Sequence, residues 1–179
     1  MDSRFLIVTG FSGAGMTSAL KHLEDMGYET FDNFPLTLVP ALRADPAGTD
    51  KPVAIGIDTR ARGFEADTLL GLARDHKATL IFMTADEHIL LRRFTETRRR
   101  HPLAQDRPAS AGIKKEQEIL YPLRAAAAHI IDTSEMSVHD LRHRFDSLFA
   151  LKAGGQLTLT LMSFGFRYGL PREADIVLD

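Results

Sequence analysis

The segment Gly10-Phe-Ser-Gly-Ala-Gly-Met-Thr17 carries the clearest chemical pattern in the chain. It matches the phosphate-binding pattern G-x-x-x-x-G-K-[ST] at every fixed position except the lysine. Glycines at these positions let backbone N–H groups approach phosphate oxygens, and the N-terminus of the following helix also favours an anion. The hydroxyl of Thr17 can ligate Mg²⁺. The segment, called the phosphate loop below, therefore predicts a nucleotide site, with an ordinary glycine-rich turn as the alternative.

Position 16 holds methionine where the pattern requires lysine. An ammonium group there would add a charge-assisted interaction of about 1.5–3 kcal/mol, which corresponds to roughly 10- to 150-fold in affinity. Its effect on phosphoryl transfer can be larger, since charge develops on the γ-phosphate in the transition state. We therefore expect weakened binding and slow phosphoryl transfer unless an arginine substitutes. Arg60 and the run Arg98–Arg100 are the candidates for this substitution. Together with an acid that could hold magnesium, they give three candidate catalytic residues: Asp58, Arg60 and Arg98.

Acidic residues follow three of the expected strands. Asp58 is placed like the aspartate that holds the magnesium shell in phosphate-loop proteins, and we expect it to share Mg²⁺ with Thr17, a loop cap being the alternative. Asp32-Asn33 either lines the ligand crevice at the sheet edge or forms a turn before Pro35. The segment Asp132-Thr-Ser134 either faces the base of the nucleotide or forms a turn between strand and helix.

Five arginines cluster between positions 92 and 100, at the end of an expected helix. Three interpretations remain open for this cluster. It can form a lid that closes over a triphosphate, a solvated helix face, or a patch for a nucleic-acid backbone. Its members are Arg92, Arg93, Arg98, Arg99 and Arg100.

The segment His139-Asp-Leu-Arg-His143 places two imidazoles four residues apart and nearly spells the zinc motif H-E-x-x-H. Aspartate is one methylene shorter than the glutamate of that motif, and no third ligand is evident. A capping box formed by Ser137 and Asp140 explains the segment without a metal. We therefore interpret it as the start of a helix.

The order of the elements predicts the architecture that would position these residues. The runs at 5–8, 53–57, 79–83 and 129–131 are mostly apolar and, with a second short segment at 29–31, are expected to form strands. Amphipathic stretches separate most of them. This alternation predicts an α/β fold, a parallel sheet with helices on both faces. Helices are expected from Gly15 to Met26, from about Asp86, from about Lys115 to Ala128, and from Ser137. The intervening stretch Leu103–Gly112 is expected to be flexible.

Composition limits the class of protein. The chain has 179 residues and a net charge of −2, and its length fits a single domain with room for a short appendage. The absence of cysteine excludes disulfides and thiolate metal sites. The longest uncharged stretch, 5–20, is rich in Gly, Ser and Thr, so no membrane span is expected. The N-terminal residues do not read as a secretory signal. A cytoplasmic location is the expectation.

Taken together, these motifs resemble the P-loop RNase adapter proteins of the RapZ (YvcJ-type) family. The resemblance extends over nearly the whole chain. It rests on the phosphate loop, Asp32-Asn-Phe-Pro35, Asp58-Thr-Arg60, Arg92-Arg-Phe-Thr-Glu-Thr-Arg-Arg-Arg-His-Pro-Leu103, Pro122-Leu-Arg124, Ile131-Asp-Thr-Ser-Glu-Met-Ser-Val-His139 and Ser163-Phe-Gly-Phe166 with Tyr168-Gly-Leu-Pro171.

The resemblance implies a P-loop NTPase (kinase-like) domain that uses Mg-ATP or Mg-GTP, with ATP on the phosphate loop, GTP on Asp58–Ala61, and Mg²⁺ on Thr17 and Asp58. Weak ATPase or GTPase activity is one expectation, and a non-hydrolysing sensor or a small-molecule kinase is the alternative. Met16 departs from the family, which normally has a basic residue there. The residues implied to hold the nucleotide are Gly10, Phe11, Ser12, Gly13, Ala14, Gly15, Met16, Thr17, Asp58, Thr59, Arg60 and Ala61.

The resemblance also implies the domain organisation. Residues 1–152 would form the nucleotide-binding domain, 153–155 a linker, and 156–179 the opening segment of a C-terminal domain whose remainder is missing here. In the family, that second domain binds a regulatory small RNA and an amino-sugar phosphate and delivers the RNA to a ribonuclease. These partners are expected for a full-length parent, whereas nucleotide is the partner expected for this chain.

Overall fold

The computed structural model describes residues 4–44, 51–151 and 163–165. The expected linker at 153–155 and the expected strand Leu157–Leu161 lie outside the described residues. In chain order the elements are β1 (Phe5–Gly10), α1 (Met16–Asp25), β2 (Glu29–Phe31), a short 3₁₀ helix (Leu36–Leu38), α2 (Val39–Ala44), β3 (Val53–Gly56), α3 (Ala66–Asp75), β4 (Thr79–Thr84), α4 (Glu87–Thr97), α5 (Ala109–Ala126), β5 (His129–Asp132) and α6 (Val138–Phe149).

The strands form one parallel sheet in the order β2-β3-β1-β4-β5. β1 is central, with Ile7 aligned to Ile55 on one side and to Leu80 on the other. All six residues of β1 are buried, as expected for a strand that is covered on both faces. α1 packs against α6, and α5 packs against α3 and α4. The prediction of an α/β parallel sheet with helices on both faces is confirmed.

The topology brings the carboxyl ends of all strands to one edge of the sheet, where ligands bind in folds of this type. The phosphate loop leaves β1 at this edge, Asp32 follows β2, and Asp58 follows β3. The predicted capping box is also present, with the Ser137 hydroxyl accepting from the Asp140 amide. Within the described residues, no helix is both long and apolar enough to cross a membrane.

Several element boundaries differ from expectation. β3 ends at Gly56 rather than at Ile57, although the Ile57 amide still donates to the Val8 carbonyl. α5 begins at Ala109, so the stretch expected to be flexible contributes the first turn of a helix. A Cβ at Gly112 would lie 2.4 Å from Nδ1 of His101. Gly112, one of the small residues that suggested a loop, is therefore required by the close approach of His101.

This approach gives a prediction about two helical glycines. Gly112→Ala should lower the free energy of unfolding by about 1–3 kcal/mol, because the methyl group overpacks against His101. Gly71→Ala, in α3, should raise it by about 0.5–1 kcal/mol, since nothing lies within 4 Å of its added Cβ and alanine is the better helix former. Urea unfolding of both variants provides the measurement. Stabilisation of both proteins by the same amount would contradict the prediction.

Candidate functional site

Glycines fix the shape of the phosphate loop. Gly10 has φ of +144°, and a Cβ there would lie 2.1 Å from the Met83 carbonyl oxygen, so no larger residue fits between β1 and β4. Gly13 and Gly15 have φ of +89° and +96°, in the left-handed region that favours glycine. The Phe11 amide donates to the Met83 carbonyl at 3.0 Å, which fixes the start of the loop to the sheet.

The loop ends on the N-terminus of α1, whose first amides have no partner within the helix. Gly15 is the N-cap and supplies no side-chain cap, and the first turn of α1 contains no acidic residue. The first intrahelical bond runs from the Ala19 amide to the Gly15 carbonyl. The amides of Met16, Thr17 and Ser18 are thus available to an external acceptor, which together with the helix dipole favours an anion.

A cavity of about 380 Å³ lies over the loop. It collects predicted site residues from three separate parts of the chain. Met16 is half-buried on its wall, packed against the hydrophobic core. The residues that line the cavity are Gly10, Phe11, Ser12, Gly13, Gly15, Met16, Thr17, Ser18, Asp58, Arg60, Arg93, Phe94, Thr97, Arg99, Arg100 and Pro102.

Asp58 is paired with Arg60. The Asp58 side chain is 3% exposed and accepts from the Arg60 guanidinium at 2.6 Å and 2.9 Å through Oδ2, and from the Arg60 amide at 2.7 Å through Oδ1. This hydrogen bond with Asp58 raises the pKa of Arg60. Arg60 therefore stays charged at the cavity wall, and a cation that approaches Asp58 must share the carboxylate with a guanidinium.

The Thr17 hydroxyl contacts Asp32, an acid other than the one expected to share Mg²⁺ with it. The hydroxyl is 3.4 Å from Oδ2 of Asp32, which the sequence marked as either a crevice residue or part of a turn. No three His, Asp or Glu side chains of the described residues converge on a metal-sized space. Thr17 and Asp32 do offer oxygen donors, and Mg²⁺ commonly takes one or two protein oxygens together with water and substrate phosphates. The donor set thus fits Mg²⁺ that arrives with a nucleotide.

The arginine cluster divides into residues with different roles. Arg93 turns inward and donates to the Gly13 carbonyl at 2.9 Å and to the Thr133 carbonyl at 2.7 Å, so it belongs to the frame of the loop. Burial lowers the pKa of Arg93. Arg99 and Arg100 line the cavity, and neither forms an ion pair with another described residue. Arg98, which has a left-handed backbone, is exposed and is not among the lining residues.

A buried glutamate under the loop was not predicted. The Glu116 side chain is fully buried and accepts from the Ser12 amide at 2.9 Å, from the Ser12 hydroxyl at 2.6 Å and from the Thr59 hydroxyl at 3.4 Å. Nε2 of His101, which is also fully buried, lies 3.2 Å from the same carboxylate. The available signal was its position in α5, on the same stripe as buried Ile113, Leu120 and Leu123, where an unpaired carboxylate would be costly.

A second cavity of about 250 Å³ lies on the other side of the loop. Its walls combine loop backbone with apolar side chains from the β5–α6 connection, among them Met136, Val138 and Leu141. Thr133 faces this cavity, whereas Asp132 accepts from the Ser134 amide and hydroxyl and so forms a turn. The turn is therefore present, whereas contact of this segment with a nucleotide base stays a prediction.

The two histidines of α6 lie on its exposed surface, with their Nε2 atoms 2.9 Å apart. They have no third metal-binding partner among the residues that the structure describes. The segment serves as the capped first turn of α6, in agreement with the sequence interpretation.

Comparison with known proteins finds a matching family model and relatives of similar sequence. A family model described as the RapZ-like N-terminal domain matches residues 3–153. A nucleotide-binding protein of Rhodospirillum centenum is 49% identical over 180 residues, and one of Gluconobacter oxydans is 50% identical over 182 residues. The matches cover 97% and 98% of this chain but 54% and 56% of the relatives, so the chain spans about half their length.

Solved structures share the fold at low sequence identity. Shikimate kinase from Bacteroides thetaiotaomicron matches with a TM-score of 0.60 at 18% identity, covering 82% of this chain and 98% of that one. A gluconokinase from Sinorhizobium meliloti matches with a TM-score of 0.52 at 15% identity, covering 80% and 90%. The predicted P-loop kinase-like fold is thereby confirmed.

Proposed function

Since the chain belongs to the RapZ-like N-terminal domain family, we propose that it binds a purine nucleotide, as Mg-ATP or Mg-GTP, on the phosphate loop. The observation that carries this proposal is the N-terminus of α1. Its amides are uncapped by any side chain and open into a cavity that also contains Arg60, Arg99 and Arg100. Backbone donors and guanidinium groups together suit a polyphosphate. The names of the relatives as nucleotide-binding proteins support it.

The two cavities suggest how the nucleotide lies. The phosphates would rest on the loop and extend into the larger, arginine-lined cavity. The base would enter the smaller cavity, whose apolar walls at Met136 and Leu141 suit a flat ring. Thr17, with Asp32 and Asp58 near it, would hold the magnesium ion, which supplies charge neutralisation to the phosphates when bound. The segment Asp58–Ala61 remains the proposed GTP contact.

Met16 favours a sensor over an NTPase. The methionine stands on the wall of the cavity, where the pattern places a cation that stabilises charge in the transition state. Loop amides can bind a nucleotide without that cation, but they supply less of the transition-state stabilisation. A non-hydrolysing nucleotide sensor is therefore the preferred form of the proposal, and weak hydrolysis assisted by Arg60 is the second form.

The role of the whole protein follows from the family resemblance. We propose that in a full-length parent this domain regulates small-RNA processing, with a small RNA and a ribonuclease as partners. The kinase-like fold keeps a small-molecule kinase as the alternative. Phosphate that appears on an acceptor molecule rather than on water would favour the kinase.

Isothermal titration calorimetry with Mg-ATP and with Mg-GTP tests the central proposal. We expect saturable binding of at least one nucleotide and a rise in the melting temperature at saturation. The same titration with Mg²⁺ and ribose as ligands controls for heats of dilution. Absence of binding and of any thermal shift with both nucleotides would contradict the proposal.

Ser18→Asp should separate anion binding from folding. Ser18 is exposed in the first turn of α1 and lines both cavities. A carboxylate there should stabilise the protein by about 0.3–1 kcal/mol, because it interacts favourably with the helix N-terminus. It should also weaken nucleotide binding, because its charge repels the phosphates. Thermal unfolding and calorimetry measure the two effects, with Ser18→Asn as the uncharged control. Unchanged nucleotide affinity in Ser18→Asp would place the phosphates elsewhere.

A further inference from the structure

Glu116 contacts three segments that the proposed nucleotide site brings together. One carboxylate accepts from Ser12 in the phosphate loop, from Thr59 in the 58–61 segment and from His101 in the segment that follows α4. Glu116 and His101 are both fully buried, so water does not replace these contacts without a rearrangement. The three segments are far apart in the sequence and meet at this one side chain.

The direction of each hydrogen bond is defined by its partner. The Leu103 amide donates to Nδ1 of His101 at 3.2 Å, so in the neutral ring the proton lies on Nε2 and is donated to Glu116. Ser12 contributes both its amide and its hydroxyl. Every neighbour of the carboxylate is thus a donor, and an ionised carboxylate accepts at both oxygens. When one donor moves, the strength of the other hydrogen bonds changes, because all of them share the Glu116 carboxylate as acceptor.

His101 is continuous with the two arginines that line the cavity. We define the basic segment as Arg98–Pro102. Arg99 and Arg100 immediately precede His101 and line the cavity over the loop. The His101 ring also packs against Phe94, with ring centroids 5.0 Å apart. His101 therefore links the buried carboxylate to the segment that carries the two guanidinium groups.

We propose that Glu116 and His101 couple occupancy of the phosphate loop to the position of the basic segment, an inference that rests on the proposed function. The Ser12 amide already donates to Glu116, whereas the amides of residues 16–18 have no side-chain acceptor and can bind a ligand. A polyphosphate on the open amides brings negative charge close to this group of contacts, and that charge attracts the hydrogen-bond donors around Glu116. His101 is one of those donors, and the arginines beside it are drawn toward the phosphates. Glu116 is in this sense a positioning residue.

Coupling of this kind is reciprocal by thermodynamic necessity. If the bound nucleotide orders the basic segment, the ordered segment must raise the affinity for the nucleotide by the same factor. Coupling between sites is typically about 5- to 150-fold. Loss of the contact between His101 and Glu116 should therefore change two independent measurements together. These are hydrogen exchange in the basic segment and nucleotide affinity.

His101→Phe cuts the connection with little change in packing. The aromatic ring keeps the contact with Phe94 but cannot donate to Glu116, which retains its donors at Ser12 and Thr59. Gly112→Ala displaces the same imidazole without changing any polar side chain, because the added methyl group would lie too close to the ring. His88→Phe, on the exposed surface of α4, is the matched control. Circular dichroism verifies that each variant is folded.

Hydrogen–deuterium exchange with and without saturating Mg-ATP provides the test. In the native protein, Mg-ATP should slow exchange both in the phosphate loop and, by about fivefold or more, in the basic segment. In His101→Phe, Mg-ATP should still protect the phosphate loop but should slow exchange in the basic segment by less than about twofold. The affinity of this variant for Mg-ATP should fall by the same factor as the protection of its basic segment. Gly112→Ala should show the same losses of protection and affinity as His101→Phe. His88→Phe should match the native protein in both measurements.

Different results overturn different statements. If the loop is protected in the native protein but the basic segment is not, or if His101→Phe shows native protection there, the coupling is wrong while nucleotide binding stands. If a folded His101→Phe loses segment protection without any loss of affinity, reciprocity fails and the coupling is again wrong. If Mg-ATP and Mg-GTP neither bind nor protect the loop of the native protein, the proposed function is wrong and the coupling with it.

Discussion

Glu116→Ala is expected to lower the free energy of unfolding by about 3–5 kcal/mol. The substitution leaves four buried or part-buried donors without their acceptor, namely the Ser12 amide, the Ser12 hydroxyl, the Thr59 hydroxyl and Nε2 of His101. Each orphaned donor costs about 1–3 kcal/mol where water cannot reach it. A domain of this size is commonly stable by only about 5–15 kcal/mol. Urea unfolding followed by circular dichroism measures the loss.

Two further variants identify the cause of that loss. Glu118→Ala changes the same residue type on the exposed face of the same helix and should stay within about 0.5 kcal/mol of the native protein. Glu116→Gln should fall between the two, because the hydroxyls of Ser12 and Thr59 can turn and accept from its amide group while its oxygen serves the other donors. A Glu116→Ala protein as stable as Glu118→Ala would show that the buried contacts contribute nothing to stability.

The centre of the sheet could be predicted because its strands contain continuous apolar runs. Phe5–Val8 and Leu80–Met83 are apolar on both faces, which is a strong signal for a strand covered on both sides. The phosphate loop could be predicted because its backbone geometry demands glycine at Gly10, Gly13 and Gly15. These are local properties that residue types encode directly.

The interior polar contacts could not be predicted in the same way. Glu116 contacts residues 57 and 104 positions away in the chain, and nothing within α5 specifies those partners. The contacts of each arginine side chain were equally hard to predict from the sequence. Arg93 lies three residues after buried Leu90, which brings it to the inner side of α4, whereas Arg92 faces solvent. Helical phase gave a signal for this difference, but the identity of its acceptors, Gly13 and Thr133, depends on the assembled fold.

The charge at the loop is arranged differently from what the phosphate-binding pattern provides. A lysine at position 16 would reach the phosphates from the loop itself, whereas the cations present here reach the cavity from other segments. Arg60 is fixed by Asp58, and Arg93 is occupied by backbone carbonyls. Arg99 and Arg100 are the lining arginines that have neither an ion-pair nor a hydrogen-bond partner among the described residues, and they come from the basic segment. The phosphates would therefore depend on a segment whose position Glu116 and His101 control.

Met16→Lys tests this arrangement and should produce the largest change in nucleotide binding. The new ammonium would lie on the cavity wall beside the open amides of α1, where a charge-assisted contact contributes about 1.5–3 kcal/mol. We expect Mg-ATP affinity to rise by about 10- to 150-fold. The alkyl part of lysine can occupy the half-buried position of the methionine while its charge reaches the cavity, so stability should change little.

Met16→Gln is the matched control for Met16→Lys, because it introduces a polar side chain without the charge. Calorimetry on the three proteins gives the affinities, and release of inorganic phosphate gives the turnover. If native protein and Met16→Lys both bind but Met16→Lys alone turns over, the native chain is a sensor rather than a weak NTPase. Turnover by the native protein at a rate close to that of Met16→Lys would instead favour Arg60 or the basic segment as the substitute cation. Equal affinity of Met16→Lys and Met16→Gln would show that position 16 does not face the phosphates.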